Sequence, residues 1–76
     1  METPVEVIGW EKFTQQNGKT GIRIYGLREL IGDQCAGMEA VRIYINPEYV
    51  SYEPEIGHKI IAVEGKYGVD RIIRVA

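Results

Sequence analysis

Arginine and tyrosine recur at a fixed spacing in this chain, and together they could contact the bases and phosphates of a nucleic acid. The tripeptide Arg-Ile-Tyr occurs twice, at residues 23–25 and again at residues 42–44. A tyrosine ring can stack on a base, while a guanidinium group can pair with a phosphate or lie over an aromatic ring. Ordinary cross-strand pairing within a sheet would explain the same pattern, so the tripeptides alone leave both interpretations open.

The two tripeptides are predicted to lie on neighbouring antiparallel strands. Alternate residues of a strand share a face, so each copy places its arginine and tyrosine on one side and its isoleucine on the other. A simple hairpin register would set Arg23 opposite Tyr44 and Tyr25 opposite Arg42. The sequence therefore predicts one cationic and aromatic face that both strands build.

Short alternating segments separated by turn residues run through the whole chain. The predicted strands are residues 5–13, 21–27, 38–45, 58–64 and 69–75. Asn17 and Gly18 indicate a two-residue type I′ hairpin turn, and one helical turn is expected over residues 49–52. Five short strands without a long helix predict an all-β domain over residues 1–76, a small barrel of the OB-like or SH3-like type with a projecting hairpin.

Composition limits the classes of function. Nine Lys and Arg against eleven Asp and Glu give a net charge of −2, which argues against nucleic-acid binding unless the basic residues gather on one face. We expect such a separation, because the acids of the first strand and of residues 48–55 would lie away from strands two, three and five. Trp10 and Phe13 are expected in the core.

The residues give little support for catalysis. The single cysteine, Cys35, rules out an intramolecular disulfide, and the single histidine, His58, argues against a histidine metal cluster. We expect Cys35 in a loop and His58 at the surface. No catalytic residue, metal site or cofactor is predicted. The lack of a long apolar run and of a signal peptide leads us to expect a cytoplasmic protein with no membrane partner.

A series of short motifs resembles the filamentous-phage gene V family of single-stranded-DNA-binding proteins. Phe-Thr at 13–14, Asn-Gly at 17–18 and Tyr-Gly-Leu-Arg-Glu-Leu at 25–30 are similar to the first half of that family, where a Phe-Thr, a hairpin wing and a Tyr-x-Leu-x-Glu segment follow one another. The second half is similar through Val-Arg-Ile at 41–43, Tyr-Glu-Pro at 52–54, Gly-Lys-Tyr-Gly at 65–68 and Asp-Arg-Ile at 70–72.

The resemblance implies a five-stranded OB-like barrel that forms a homodimer and coats single strands. It implies base stacking on Tyr25 and on Tyr67 at a hairpin tip, an apolar contact from Leu27, and basic contacts from Arg42 and Arg71. Three further residues join these as candidates: Lys19 at the first hairpin, and Arg23 and Tyr44 from strand alternation. The full predicted site comprises Lys19, Arg23, Tyr25, Leu27, Arg42, Tyr44, Tyr67 and Arg71.

The expected function is binding of single-stranded DNA without sequence specificity, in the replication of a phage or another mobile element. RNA remains an alternative ligand, since the sequence does not show whether a 2′-hydroxyl would fit. An alternative from another class is a small β-barrel that assembles with other proteins through the same face, because Tyr and Arg are enriched at protein interfaces. Residues 30–31 and 36–40 are the predicted dimer contacts.

Overall fold

The computed structural model, which describes residues 4–66 and 68–76, contains one antiparallel sheet of five strands. The strands are β1 (Val5–Thr14), β2 (Thr20–Glu29), β3 (Met38–Ile45), β4 (Lys59–Gly65) and β5 (Gly68–Arg74). Their order in the sheet is β3-β2-β1-β4-β5. The described residues include no helix, so the all-β prediction is confirmed.

Hydrogen bonds do not close this sheet into a barrel. The edge strands β3 and β5 come into contact, but no ladder joins them among the described residues. The sheet therefore curls until its two edges meet and leaves a seam between them. Residues 46–58 connect β3 to β4, and the predicted helical turn in this segment is instead a turn in which the amides of Tyr49 and Val50 both donate to the Asn46 carbonyl oxygen.

The core is built from β-branched side chains on one face of the sheet and from Val50 of the β3–β4 connection. Across the β2–β3 ladder, Ile22 pairs with Ile45 and Ile24 pairs with Ile43. All members of the buried cluster are Val or Ile, which suits a pleated surface that is covered on one side. The cluster consists of Val5, Val7, Ile22, Ile24, Ile43, Ile45, Val50 and Ile60.

A β-bulge interrupts β1 at Ile8. Val7 pairs with Gly26 and the next partner, Gly9, pairs with Tyr25, so Ile8 is an extra residue without a partner on β2. An extra residue reverses which alternate side chains face the core. Odd-numbered residues of β1 therefore face inward before the bulge, and even-numbered residues do so after it.

The bulge explains one of two errors in the predicted core, the position of Phe13. After the bulge, Trp10 is on the same face as its partner Ile24, whereas Phe13 lies on the opposite face. Trp10 nevertheless stays 44% exposed, and Phe13 is half-buried outside the core cluster. The expectation that both rings fill the core is wrong.

Gln15 and Lys19 close the β1–β2 hairpin, so its loop has three residues, 16–18, rather than the two of the predicted turn. The Gln15 amide donates to the Lys19 carbonyl oxygen at 2.8 Å, and the Gly18 amide donates to the Gln15 carbonyl oxygen at 2.9 Å. A type I′ turn needs positive φ at both central residues, but only Gly18 has one, at 82°. Asn17 instead accepts a hydrogen bond from the Lys19 amide through its side-chain oxygen.

Gly26 lies at the closest approach of β1 and β2. A Cβ atom at this position would overlap Val5 Cγ1 and would lie 2.8 Å from the Glu6 carbonyl oxygen. Because Val5 belongs to the buried cluster and the second atom is backbone, neither can give way easily. The glycine therefore allows the two strands to pack closely just before the bulge.

We expect Gly26→Ala to destabilise the fold by about 1–3 kcal/mol, since overpacking of a filled site forces backbone shifts. Urea unfolding followed by circular dichroism would measure the loss. Gly9→Ala is the matched control, because its Cβ atom would meet only Tyr25 Cδ2 at 4.0 Å and should cost clearly less. Equal losses for the two variants would contradict the packing argument.

Candidate nucleic-acid interface

The predicted arginines and tyrosines share the face of β2 and β3 that is turned away from the core. Arg23 pairs with Tyr44, and Tyr25 pairs with Arg42. The register predicted from the two tripeptides is therefore confirmed. Leu27 lies on the same face, because it is two residues from Tyr25. These five side chains are called the Arg/Tyr face below.

Burial of the intervening isoleucines holds this face outward. Ile22, Ile24, Ile43 and Ile45 alternate with the Arg/Tyr face along the two strands, and each is at least 93% buried. Tyr44 remains 50% exposed. Arg42 is also exposed, whereas the other three members of the face are half-buried. The tyrosine and arginine side chains therefore form a surface rather than part of the core.

β1 adds two side chains to the Arg/Tyr face that were not predicted there. Because of the bulge, Glu11 lies opposite Arg23 and Phe13 lies opposite Gly21 on this side of the sheet. The expectation that the acids of the first strand lie away from the basic face is thus wrong for Glu11. A glycine inside a strand often marks a bulge, so Gly9 was the sequence signal for this change of face.

Arg23 is enclosed by two aromatic rings and a carboxylate. Its guanidinium carbon lies 4.9 Å from the centroid of Phe13 and 5.1 Å from that of Tyr44. The two rings pack edge to face, with centroids 6.4 Å apart. The Arg23 Nη1 atom donates to Glu11, while its Nε atom is buried without a hydrogen-bond partner among the described residues. Arg23 is therefore held in place by cation–π contacts and one ion pair.

The hydrogen bonds in this cluster fix the charges of both partners. The Tyr25 hydroxyl donates to Glu11 Oε1 at 2.8 Å. This bond, followed by the one from Arg23, holds the pKa of the Glu11 carboxyl below its ordinary value. Hydrogen bonds with Tyr25, Tyr44 and Glu11 in turn raise the pKa of Arg23. Both groups are charged at neutral pH, and together they contribute no net charge to the face.

Arg42 is the uncompensated cation of the Arg/Tyr face. It lies opposite Tyr25 on the edge strand β3 and is exposed. Within the described part of the chain, no hydrogen bond or ion pair engages its guanidinium group. An anion could therefore approach Arg42 without displacing another group.

Two other predicted site residues, Lys19 and Arg71, are not gathered on this face. The Lys19 ammonium group pairs with Glu48 at 3.4 Å, which ties the β1–β2 hairpin to the connection between β3 and β4. Arg71 is exposed on β5, opposite Val63. Tyr67 lies outside the described residues. Among the described residues, the sheet thus brings together five of the predicted ones.

A groove beside the Arg/Tyr face leads to the β4–β5 turn. The groove is lined by aromatic residues and by residues near that turn. Its volume is about 800 Å³. Phe13, Tyr44 and Tyr49 supply the rings, and Gly68 and Asp70 lie on the other side. Tyr49 is 77% exposed, so its ring is accessible from this groove. The groove extends the aromatic surface beyond β2 and β3.

His58 is buried rather than exposed as expected. Only 9% of its surface is accessible, and its Nδ1 atom lies 2.8 Å from the Tyr52 hydroxyl. Its Nε2 atom lies 3.0 Å from Glu55 Oε2. Burial raises the pKa of Tyr52. The His58 carbonyl oxygen accepts the Val7 amide, so this residue anchors the β3–β4 connection to β1.

Comparison with protein-family models, curated proteins and solved structures found no match for the chain. Among residues 4–66 and 68–76, no group of three or more His, Cys, Asp or Glu side chains could hold a metal ion. The described residues likewise include no helix that could span a membrane. Any functional proposal must therefore stand on the geometry of the chain and on its sequence.

We expect Glu11 to stabilise the fold at neutral pH and to lose this effect in acid. Its lowered pKa means that the folded state favours the carboxylate, so the contribution is complete above about pH 4.5, the ordinary pKa, and falls as the pH drops further. In urea unfolding between neutral and strongly acidic pH, Glu11→Gln should be less stable than the wild type at neutral pH and approach it in acid.

The control for this measurement is Glu29→Gln. Glu29 is exposed at the end of β2, on the side of the sheet that carries the Arg/Tyr face. No ion pair joins it to another described residue. Its replacement should leave the pH curve close to that of the wild type. Parallel curves for Glu11→Gln and the wild type would show that the Glu11 contacts do not stabilise the fold.

Proposed function

We propose that the protein binds single-stranded DNA through the Arg/Tyr face, without sequence specificity and without catalysis. The observation that carries this proposal is the β2–β3 register, which alternates guanidinium groups and tyrosine rings across two strands. Stacking accepts every base, and phosphate contacts carry no sequence information. An RNA strand is the alternative ligand of the same chemistry.

The proposed fold is an OB-like barrel that works as a homodimer, as the resemblance to the gene V family implies. The strand order and the contact between β3 and β5 support the barrel, because one further ladder between these edges would close the five strands. OB-folds bind oligonucleotides on strands 2 and 3 and on the loops that join strands 1–2 and 4–5. The Arg/Tyr face and the groove toward Gly68 occupy the corresponding places here.

Each candidate residue has a proposed role in this complex. Bases would stack on Tyr25 and Tyr44, with Leu27 as an apolar neighbour. Phosphates would pair first with Arg42, since its guanidinium group has no partner among the described residues. Arg71 and Lys19 would contact phosphates further along the strand. Tyr67, which lies outside the described residues, is included on the resemblance alone.

Glu11 would compete with a phosphate for Arg23. Its carboxylate accepts hydrogen bonds from Arg23 and from the Tyr25 hydroxyl, which are the bonds that a phosphate oxygen would accept. A bound strand would gain the Arg23 contact only by displacing Glu11. We therefore assign Arg42 a larger share of the salt-dependent affinity than Arg23.

The same carboxylate favours a second candidate function. A face whose central arginine is neutralised by Glu11 is less cationic than the usual surface of a nucleic-acid-binding protein. Tyrosine and arginine are also the residues that dominate binding energy at protein interfaces. A protein-interaction module that uses the Arg/Tyr face is therefore the alternative, and oligonucleotide titrations separate the two.

We expect the protein to bind a labelled oligo-dT with a dissociation constant of about 1–100 μM at moderate salt, the range of non-specific binders. Arg42→Ala should weaken binding and reduce the slope of log K against log salt by about 0.7, because one phosphate contact is lost. Fluorescence anisotropy at several salt concentrations would measure both.

Arg74→Ala is the charge-matched control for this titration. Arg74 is exposed on β5 opposite Ile60, whose side chain faces the core side of the sheet. The Arg74→Ala variant should therefore have the same salt slope as the wild type. Absence of binding at high micromolar protein in low salt would refute the nucleic-acid proposal, and equal slopes for the two variants would remove Arg42 from it.

We expect Tyr25→Ala to weaken oligo-dT binding by about 1–3 kcal/mol, the contribution of one stacked base. Tyr25→Phe keeps the ring and removes only the hydroxyl that donates to Glu11, so it should bind nearly as the wild type does. Circular dichroism would check that both variants fold. Equal weakening by Phe and Ala would show that the hydroxyl, rather than stacking, carries the effect.

A further inference from the structure

A second groove lies on the other side of the sheet from the Arg/Tyr face. It runs between Trp10 and Lys12 of β1 and residues 47–56, and its volume is about 790 Å³. Trp10 and Lys12 face this side because the bulge pairs them with the inward-facing Ile24 and Ile22. We call this feature the Trp10 groove.

The Trp10 groove is lined largely by apolar side chains, and some of them are exposed. Trp10 is 44% exposed and Ile56 is 73% exposed. Tyr52 and two prolines, Pro47 and Pro54, complete the apolar lining. A concave surface of aromatic and proline side chains with a few polar groups is typical of binding sites for small or peptidic ligands.

Several polar groups of the groove can donate hydrogen bonds. The Trp10 indole N–H and the Ser51 hydroxyl have no hydrogen-bond partner among the described residues. The Lys12 ammonium group lies 5.9 Å from the centroid of the Trp10 ring. Each of these groups could donate to a carbonyl oxygen of a ligand that lies along the groove.

One rim of the groove is acidic. Glu53 and Glu55 line it on the side of the β3–β4 connection. Glu55 faces the buried His58, but no ion pair joins Glu53 to another residue in the part of the chain that the structure describes. The Glu53 carboxylate is therefore available to a basic group of a ligand.

We propose that the Trp10 groove binds a proline-rich segment of a partner protein, in the polyproline II conformation and with a basic residue beside the prolines. Such a segment offers apolar rings and carbonyl acceptors, while its prolines carry no amide donor. The groove supplies the complement: aromatic walls, unpaired donors and the Glu53 carboxylate. Binding to aromatic-lined grooves is the established mode of recognition for these segments.

This site is independent of the proposed DNA site. The Trp10 groove and the Arg/Tyr face lie on opposite faces of the β1–β2 ladder, since Trp10 pairs with Ile24 while Glu11 pairs with Arg23. A peptide in the groove would not cover the tyrosine rings. Oligo-dT should therefore leave peptide binding unchanged, and each proposal can fail without the other.

The test uses the fluorescence of Trp10, the single tryptophan of the chain. The probe is a short synthetic peptide of prolines and leucines with one terminal arginine. It should change the Trp10 emission in a saturable way. The same peptide with glutamate in place of arginine should bind more weakly, and one with alanine in place of every proline should not bind. Isothermal titration calorimetry would repeat the comparison without relying on fluorescence.

Two exposed isoleucines provide a matched pair of variants. Ile56→Ser should weaken peptide binding by roughly tenfold, about the effect of losing one buried aliphatic contact. Ile31→Ser should have no effect, because Ile31 is 75% exposed and lies outside the groove. Glu53→Gln should remove the preference for the arginine peptide over the glutamate peptide.

The opposite results would overturn the proposal. They are the absence of saturable binding of the arginine peptide in both measurements, or equal weakening by the two isoleucine variants. Equal binding of the alanine peptide would also overturn it, because an extended strand rather than a polyproline helix would then be the ligand. Unfolding curves like that of the wild type would confirm that each variant is folded.

Discussion

The register of the β2–β3 ladder is the constraint on which the rest of the structure depends. It pairs four isoleucines, Ile22 with Ile45 and Ile24 with Ile43, on the core side. Burial of each contributes about 1.5–3 kcal/mol relative to exposure. A slip of β3 by one residue would turn Ile43 and Ile45 outward and bring the Arg42 guanidinium group toward the core, where an unpaired charge is costly. The Arg/Tyr face is therefore a consequence of how the core is filled.

The bulge at Ile8 is the second constraint, because both candidate surfaces depend on it. An uninterrupted β1 would keep its odd-numbered residues on the core side, so Glu11 and Phe13 would point inward. The extra residue reverses this order: Glu11 reaches Arg23, and Trp10 and Lys12 form a wall of the second groove. Hydrogen bonds that join Val7 to Gly57 and His58 hold the β3–β4 connection next to the bulge. One inserted residue thus makes β1 contribute to opposite faces.

Strands in which apolar and polar residues alternate without interruption were predictable from the sequence. The features that depend on an interruption of this alternation were not. The five strands and the β2–β3 register came from apolar residues at every second position of β2 and β3. The faces of Glu11 and Phe13 were missed because a bulge shifts the pattern with only Gly9 as a signal. The type I′ turn predicted at Asn17 and Gly18 was wrong because the longer loop needs a positive φ at Gly18 alone. The burial of His58 depends on Tyr52 and Glu55, which meet both ring nitrogens only after the chain turns.

Ion pairs between basic and acidic side chains determine the cationic potential of the candidate interface more directly than the net charge of the chain does. Glu11 pairs with Arg23, Glu48 with Lys19 and Glu39 with Arg28. These pairs remove much of the cationic potential that would attract a phosphate backbone.

If the protein binds single-stranded DNA as proposed, its few unpaired cations would leave most of the affinity to the tyrosine rings. A micromolar dissociation constant corresponds to about 8 kcal/mol, and each stacked base contributes about 1–3 kcal/mol. The tyrosines of one chain could supply a large part of this energy but hardly all of it. Two copies that hold one strand would double both the stacked bases and the Arg42 contacts, so the chain itself would need no further cationic residue. For a chain with this charge pattern, the proposed single-strand binding would therefore require self-association on energetic grounds, independently of the family resemblance.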